Sequence, residues 1–204
     1  MPTDETARLG VLYPAVAEAA HRAGGKAIGL VDLRPGAGPD LQLDRVGITY
    51  SNGQRLGDPT SGDQVSVRIV GDRLVPTRAL PEVVTRVAID PGGLLLPDAL
   101  AEVPADVLPV VVTCWTLSRL TPEGRLRLLQ RLDAAAARRP VAWVSVEGVG
   151  VAPGVPTLGD RPASGHSIVG VTVLRHASLH AEAVGRCWSR GRQLAWLAPD
   201  GTGS

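Results

Sequence analysis

Residues Leu108 to Trp115 form a nearly continuous apolar run, Thr121-Pro122 opens an amphipathic stretch that Pro140 ends, and Val141 to Val146 forms a second apolar run. A strand without a polar face must be covered on both sides, and two parallel neighbours need a crossover, so this pattern specifies a βαβ unit inside a layered α/β fold. Thr121 suits the N-cap, and Pro122 suits the first helical position, where its missing N–H is one no intrahelical carbonyl needs. Leu126, Leu129, Leu132 and Ala136 are expected to form the buried stripe of this helix.

Upstream, Leu9, Tyr13, Val16 and Ala20 share one face of a helix that Thr3 or Asp4 can cap and that Gly24-Gly25 ends near Ala23. A first strand is expected from Ala27 to Leu33. The chain then reads as strand rather than helix: Val46, Ile48 and Tyr50 alternate, Asn52-Gly53 is a strong hairpin turn, and Val65, Val67 and Ile69 alternate again. Val83 to Asp90 reads as a second buried strand, broken by Pro91-Gly92-Gly93. Val149 to Gly165 reads as a long loop able to border a pocket, and Ile168 to Leu174, Val184 to Trp188 and Gln193 to Leu197 as closing strands, the last two a hairpin. The expectation is an α/β, Rossmann-like, mostly parallel sheet with a β-hairpin insertion after the first strand and an antiparallel C-terminal hairpin. At 204 residues it suits one domain spanning 1–204.

A formal charge of +1 leaves no broad basic field for nucleic acid or a membrane surface. The basic residues are nearly all arginine, Lys26 being the only lysine. Cys114 and Cys187 are too few for a disulfide framework, which fits a reducing cytoplasm, although a bridge between the two stays open. There is no leader-like N-terminus and no apolar run of 18 residues, so a cytoplasmic protein is expected.

The segment most suggestive of chemistry is Gly29 to Gly38, Gly-Leu-Val-Asp-Leu-Arg-Pro-Gly-Ala-Gly. A glycine-rich turn after a strand lets backbone N–H groups approach a ligand, and an acid at the strand end can accept from ribose or amino donors. Ordinary turns use the same residues, and an Arg34–Asp32 ion pair would fill the loop. Asp90 is a second ribose candidate. Thr113, Cys114 and Trp115 fall at the C-terminal end of a central strand, where open α/β sheets bind ligands; Trp115 either walls a pocket or fills core. Glu147, just past the next strand, is either a general base with a raised pKa or the cap of a turn. His176 and His180 have helical metal-ligand spacing but no accompanying acid, so no metal site is expected. Gly165-His166-Ser167 reads as a loop turn or a nucleophile elbow, and Ser145 lacks the elbow frame altogether. Arg125, Arg127 and Arg131, with Arg138 and Arg139, read as the solvated face of a helix rather than a phosphate site.

Three separated segments resemble one family. Asp32, Gly36, Gly38, Asp44, Arg45, Tyr50, Gly57, Asp58 and Pro59 keep the frame of an acid, a glycine loop, Asp-Arg, an alternating strand and a Gly-Asp-Pro turn; Leu108 to Glu123 and Trp143 to Gly148 follow in frame, as does Leu194 to Gly201. These resemble the largely actinobacterial domain of unknown function 2332 family, whose members are similar to Rossmann-like S-adenosylmethionine-dependent methyltransferases. The sequence departs from that pattern at Arg34 and Pro35, where a glycine and an alanine are usual, at Thr113 for histidine and at Val146 for asparagine. It also lacks the family's N-terminal helical region and is short between Asp90 and Leu108. The resemblance implies Gly36 and Gly38 beneath the amino-acid end of S-adenosylmethionine, Asp32 near its amino group, Asp90 on the ribose, and Thr113 and Trp115 in the same pocket. Glu147 is then the catalytic candidate. The implied function is methyl transfer to a small molecule in a bacterial, specialised pathway. The alternative is a non-catalytic descendant that binds a partner protein or itself, which loss of covering elements would favour.

Overall fold

The structure is a computed structural model that describes residues 6–34, 38–89 and 96–198. Helix α1 (Leu9–Ala23) leads into β1 (Ala27–Asp32), and a 3-10 segment (Pro39–Arg45) then leads to β2 (Gly47–Tyr50), β3 (Arg55–Gly57) and β4 (Gln64–Ile69). Next come β5 (Glu82–Ala88), α2 (Leu96–Glu102), β6 (Leu108–Cys114), α3 (Pro122–Ala136), β7 (Val141–Gly148), β8 (Ser167–Arg175), β9 (Ser178–Trp188) and β10 (Gln193–Trp196). All ten strands join one sheet in the order β3-β2-β4-β10-β9-β8-β7-β6-β1-β5. The block β5-β1-β6-β7 is parallel, and β8, β9 and β10 continue it as an antiparallel meander.

The βαβ unit forms as its pattern requires, with β6 and β7 parallel neighbours joined through α3. Thr121 Oγ1 accepts from the Gly124 N–H at 3.2 Å, a side-chain cap with Pro122 at the first helical position. The buried stripe differs from the expected one. Leu128, Leu132 and Ala136 face the sheet, whereas Leu126 is 54% exposed. The i, i+4, i+8 row starting at Leu128 is the one that meets β7 and β8, and Leu129 flanks it. Strand β5 is also not the buried strand its sequence suggests. It is an edge strand with Val84 42% exposed, because only β1 pairs with it.

The β insertion is larger than a hairpin. Strands β2 and β3 pair across the Asn52-Gly53 turn, with Gly53 at φ 88°, but β4 pairs parallel with both β2 and β10, so the insertion extends the main sheet at its far end. Helix α1 packs on this side of the sheet, while α2 and α3 cover the other.

One seam joins α1 to the insertion. Pro14 lies inside α1 and has no N–H for the carbonyl of Gly10, four residues back. The buried Tyr50 hydroxyl donates to that carbonyl at 2.7 Å. Gly10 has no side chain because β4 leaves no room: a Cβ there would stand 2.3 Å from Val67 Cγ2. Tyr50→Phe should therefore strand the Gly10 carbonyl and lower stability by about 1–3 kcal/mol, read as a shift in the urea midpoint at unchanged slope. Equal midpoints would mean that the carbonyl finds another donor.

Candidate functional site

Strands β1, β6 and β7 end side by side, and alternation divides their last side chains between two covered faces. Toward α1 point Leu30 and then Asp32 of β1, Val112 and Cys114 of β6, and Val144 and Val146 of β7. Val31, Val111 and Trp143 belong to the opposite core, and the same alternation takes Thr113, Ser145 and Glu147 there. Residues adjacent in sequence thus serve different compartments.

On the α1 side a cavity of about 590 Å³ opens beyond β6, between that strand's end and the β9–β10 turn. Its deep surface includes Cys114 and Cys187, both free and buried. Burial pushes the Cys187 thiol up to about 12 and the Cys114 thiol well above its usual value, so this surface is uncharged. Trp115 and Trp188 are half-buried walls. Trp115 Nε1 donates to Ser167 Oγ at 2.8 Å, and the Trp188 ring lies 5.5 Å from that of His166. Four arginines, Arg8, Arg34, Arg119 and Arg190, line the cavity, and no described carboxylate does.

Asp32 lies beside this cavity at 1% exposure, and among the described residues neither of its oxygens has a hydrogen-bond partner. Burial raises its pKa to about 7; the nearby Asp40 adds to the rise, and Arg34 and Arg8 oppose it. The position a Cβ would take on Gly38 is 3.5 Å from Asp32 Oδ2, 3.7 Å from Arg34 Cδ and 3.8 Å from Arg8 Nη2. Arg8 is buried and ion-paired through Nε to Asp40, while its Nη2 has no partner among the described residues. An acceptor and a donor, both buried and without a hydrogen-bond partner among the described residues, therefore lie within 4 Å of the Cβ position of one glycine. Arg34 lines the cavity and acts on Asp32 through its charge, without a hydrogen bond to it. Gly36 and Asp90 lie outside the described residues.

The structure gives Thr113 and Glu147 other work. Thr113 is fully buried and its hydroxyl accepts from Trp143 Nε1 at 3.1 Å, so it is a core residue and does not line the cavity. Glu147 Oε1 accepts from the Thr116 and Leu117 N–H groups, each at 3.0 Å, and caps the turn that follows β6. Burial raises its pKa to about 7, against the lowering effect of those N–H groups. The turn needs this support because Trp115 sits at φ 52°, a conformation rare for a bulky side chain. Glu147 is thus a positioning residue for Trp115, since the cavity lies on the other side of the sheet.

The remaining candidates are structural. Asp160 takes a bidentate pair from Arg186 at 2.6 and 3.1 Å and lies 2.9 Å from His166 Nε2, fastening the 149–165 loop to β9. His176 falls in the β8–β9 turn and His180 within β9, so they share no helix face. Ser145 is buried against Gly170. Arg125 donates to the Leu117 carbonyl and Arg139 to those of Leu100 and Pro104. No group of three metal-ligating side chains occurs among the described residues, and no helix among them is long and apolar enough to cross a membrane. Arg8, Arg119, Trp188 and Arg190 were not expected at the site. The only local signal was the tight Trp188-Ser189-Arg190-Gly191 turn.

The Asp32 environment has a consequence for pH. Its carboxyl loses a proton near its ordinary 3.8 in the unfolded chain but only near 7 in the folded one. Stability should therefore be fullest below about pH 4 as far as Asp32 is concerned, and should fall as pH rises toward 7. Asp32→Asn should remove that share of the decline, leave the part due to Glu147, and be more stable than the parent at pH 8 by about 1–3 kcal/mol. Urea titrations from pH 4.5 to 8.5 read this directly; a variant weaker than the parent at pH 8 would show that the carboxylate is well bonded.

Several residues of the sequence frame set out above hold the fold. Asp44 is ion-paired with Arg86, Tyr50 serves Gly10, and Asp58 Oδ1 accepts from the Thr60 N–H at 2.8 Å. Gly57 has φ 74°, and a Cβ there would stand 2.0 Å from the Val46 carbonyl oxygen. No curated protein and no solved structure matches this chain. A family described as uncharacterized and conserved in bacteria matches it in two blocks, residues 1–94 and 92–196. The chain belongs to this family, the domain of unknown function 2332.

Proposed function

We propose that this protein binds S-adenosylmethionine, or a related adenosyl ligand with an amino-acid end, and serves methyl transfer to a small molecule in the bacterial cytoplasm. The observation that carries this reading is the pair of unused polar groups over Gly38. An α-ammonium suits Asp32 and an α-carboxylate suits Arg8 Nη2, and each would relieve a buried group of an unmade hydrogen bond. A bound ammonium beside Asp32 favours the carboxylate form, drawing its pKa back down. A side chain at position 38 would stand in contact with both groups, and glycine leaves them uncovered from that direction.

When bound, S-adenosylmethionine supplies an electrophilic methyl on a sulfonium. What the chain must add is alignment and exclusion of water. Trp115, fixed by Glu147 and by its bond to Ser167, presents a rigid wall to the adjoining cavity. That no carboxylate or histidine lines the cavity among the described residues is compatible with a transfer that needs no general base.

A second reading, a partner- or self-binding module without catalysis, draws on an apolar groove of about 620 Å³ between α2 and α3, lined by Leu100, Val103, Pro104 and Ala135. Sedimentation of a strict monomer that also binds the adenosyl ligand would remove its motive.

Calorimetric titration with S-adenosylmethionine and S-adenosylhomocysteine should give micromolar affinity. Adenosine, which lacks the amino-acid end, should bind at least about tenfold more weakly, as should the full ligand to Asp32→Ala or Gly38→Val; tenfold is about 1.4 kcal/mol, less than a lost charged hydrogen bond. No heat from the folded parent protein would overturn the proposal.

A further inference from the structure

The geometry points to a second ligand class at this edge of the sheet: a flat organic oxyanion, its body between Trp115 and Trp188 and its charge on Arg119 and Arg190. The cavity beside Asp32 is built unevenly. Its deep part presents the two uncharged, buried thiols, its sides present two half-buried indoles, and its mouth presents the exposed Arg119 and Arg190. Neither of these arginines makes a side-chain hydrogen bond or ion pair among the described residues, unlike Arg8, which is paired with Asp40. The chain as a whole carries +1, whereas among the described residues this cavity is lined by four arginines and no carboxylate, and Arg119 and Arg190 bring to it charge that no ion pair among those residues offsets. Planar guanidiniums bind carboxylate or phosphate through paired hydrogen bonds, and indole faces prefer flat partners.

Backbone strain supports a purpose for this arrangement. Five described residues other than glycine have positive φ, and three of them, Trp115 at 52°, Ser189 at 50° and Arg190 at 53°, line this one cavity. Each such residue is held at a cost of about 1–3 kcal/mol, sustained only where the surroundings over-determine it. Glu147 restrains the turn at Trp115. At the other wall, Gly191 is pressed against the start of α1, where a Cβ would lie 2.7 Å from Arg8 Cα, and this fixes the turn that carries Arg190. Both walls are therefore rigid, and the charge stands where a ligand's polar end would meet water.

This site adjoins the ground over Gly38 and shares the Trp115 wall with the adenosyl reading, but its charge is carried by Arg119 and Arg190, which that reading does not use, so it does not rest on it. The probes are 2-naphthoate and 2-naphthyl phosphate, titrated calorimetrically alongside uncharged 2-naphthamide and inorganic phosphate. Either naphthyl anion should bind, with affinity falling as salt rises; the tighter of the two shows whether a carboxylate or a phosphate ester is the natural source. The amide and inorganic phosphate should each bind at least about tenfold more weakly, tenfold being about 1.4 kcal/mol. Arg119→Gln with Arg190→Gln changes exposed side chains only, and should weaken the anion at least about tenfold while leaving the melting temperature and any adenosyl binding unchanged. Gly38→Val should keep the anion site. Failure of both naphthyl anions to bind, an amide that binds as well as the acid, or a double variant of parental affinity would each overturn the proposal.

Discussion

The constraint on which the site depends is the two-residue period of strands covered on both faces. Because α1 lies on one side of the sheet and α2 with α3 on the other, every side chain at the ends of β1, β6 and β7 is committed to one compartment. Asp32 and Cys114 go to the side with the cavity, and Thr113 and Glu147 to the side without it. A one-residue change of register would exchange these sets, and the apolar runs that flank them on β6 and β7 prevent it.

Glu147 shows how a residue on the far side still shapes the cavity. Its carboxylate reaches the N–H groups of Thr116 and Leu117, and these hold the left-handed backbone at Trp115. The main-chain bond from the Trp115 N–H to the Val146 carbonyl, at 2.9 Å, ties the same turn to β7. The indole is thus aimed by β7 through two contacts, although it belongs to the loop after β6. At Gly191 a close approach to the start of α1 likewise places the turn that carries Arg190.

The insertion after β1 has a comparable economy of parts. Pro14 leaves a carbonyl open in α1, Gly10 lets β4 approach, and Tyr50 of β2 closes the seam. Tyr50, Asp44, Gly57 and Asp58, which lie in the frame by which the sequence resembles its family, belong to this and neighbouring joints. These four bear on architecture, while Asp32 and Gly38 of the same frame, with the cavity arginines, bear on the proposed chemistry.

The sequence by itself determined the βαβ unit, the strand character of the insertion, the cap at Thr121 and the closing hairpin, because these rest on period, turn chemistry and capping within a few residues. It also marked Asp32 and Gly38, since an acid at a strand end followed by a glycine is a local pattern. Only the tertiary structure decided that β4 joins β10, that Leu128 rather than Leu126 faces the sheet, that β5 is an edge, and that Glu147 serves a turn. It alone brought Arg8, Arg34, Arg119 and Arg190 to one cavity, the first and last of them 182 positions apart in the chain. The physical reason is that an arginine carries no mark of the neighbour it will meet, and neighbours far apart in the chain are set by how sheets and helices pack.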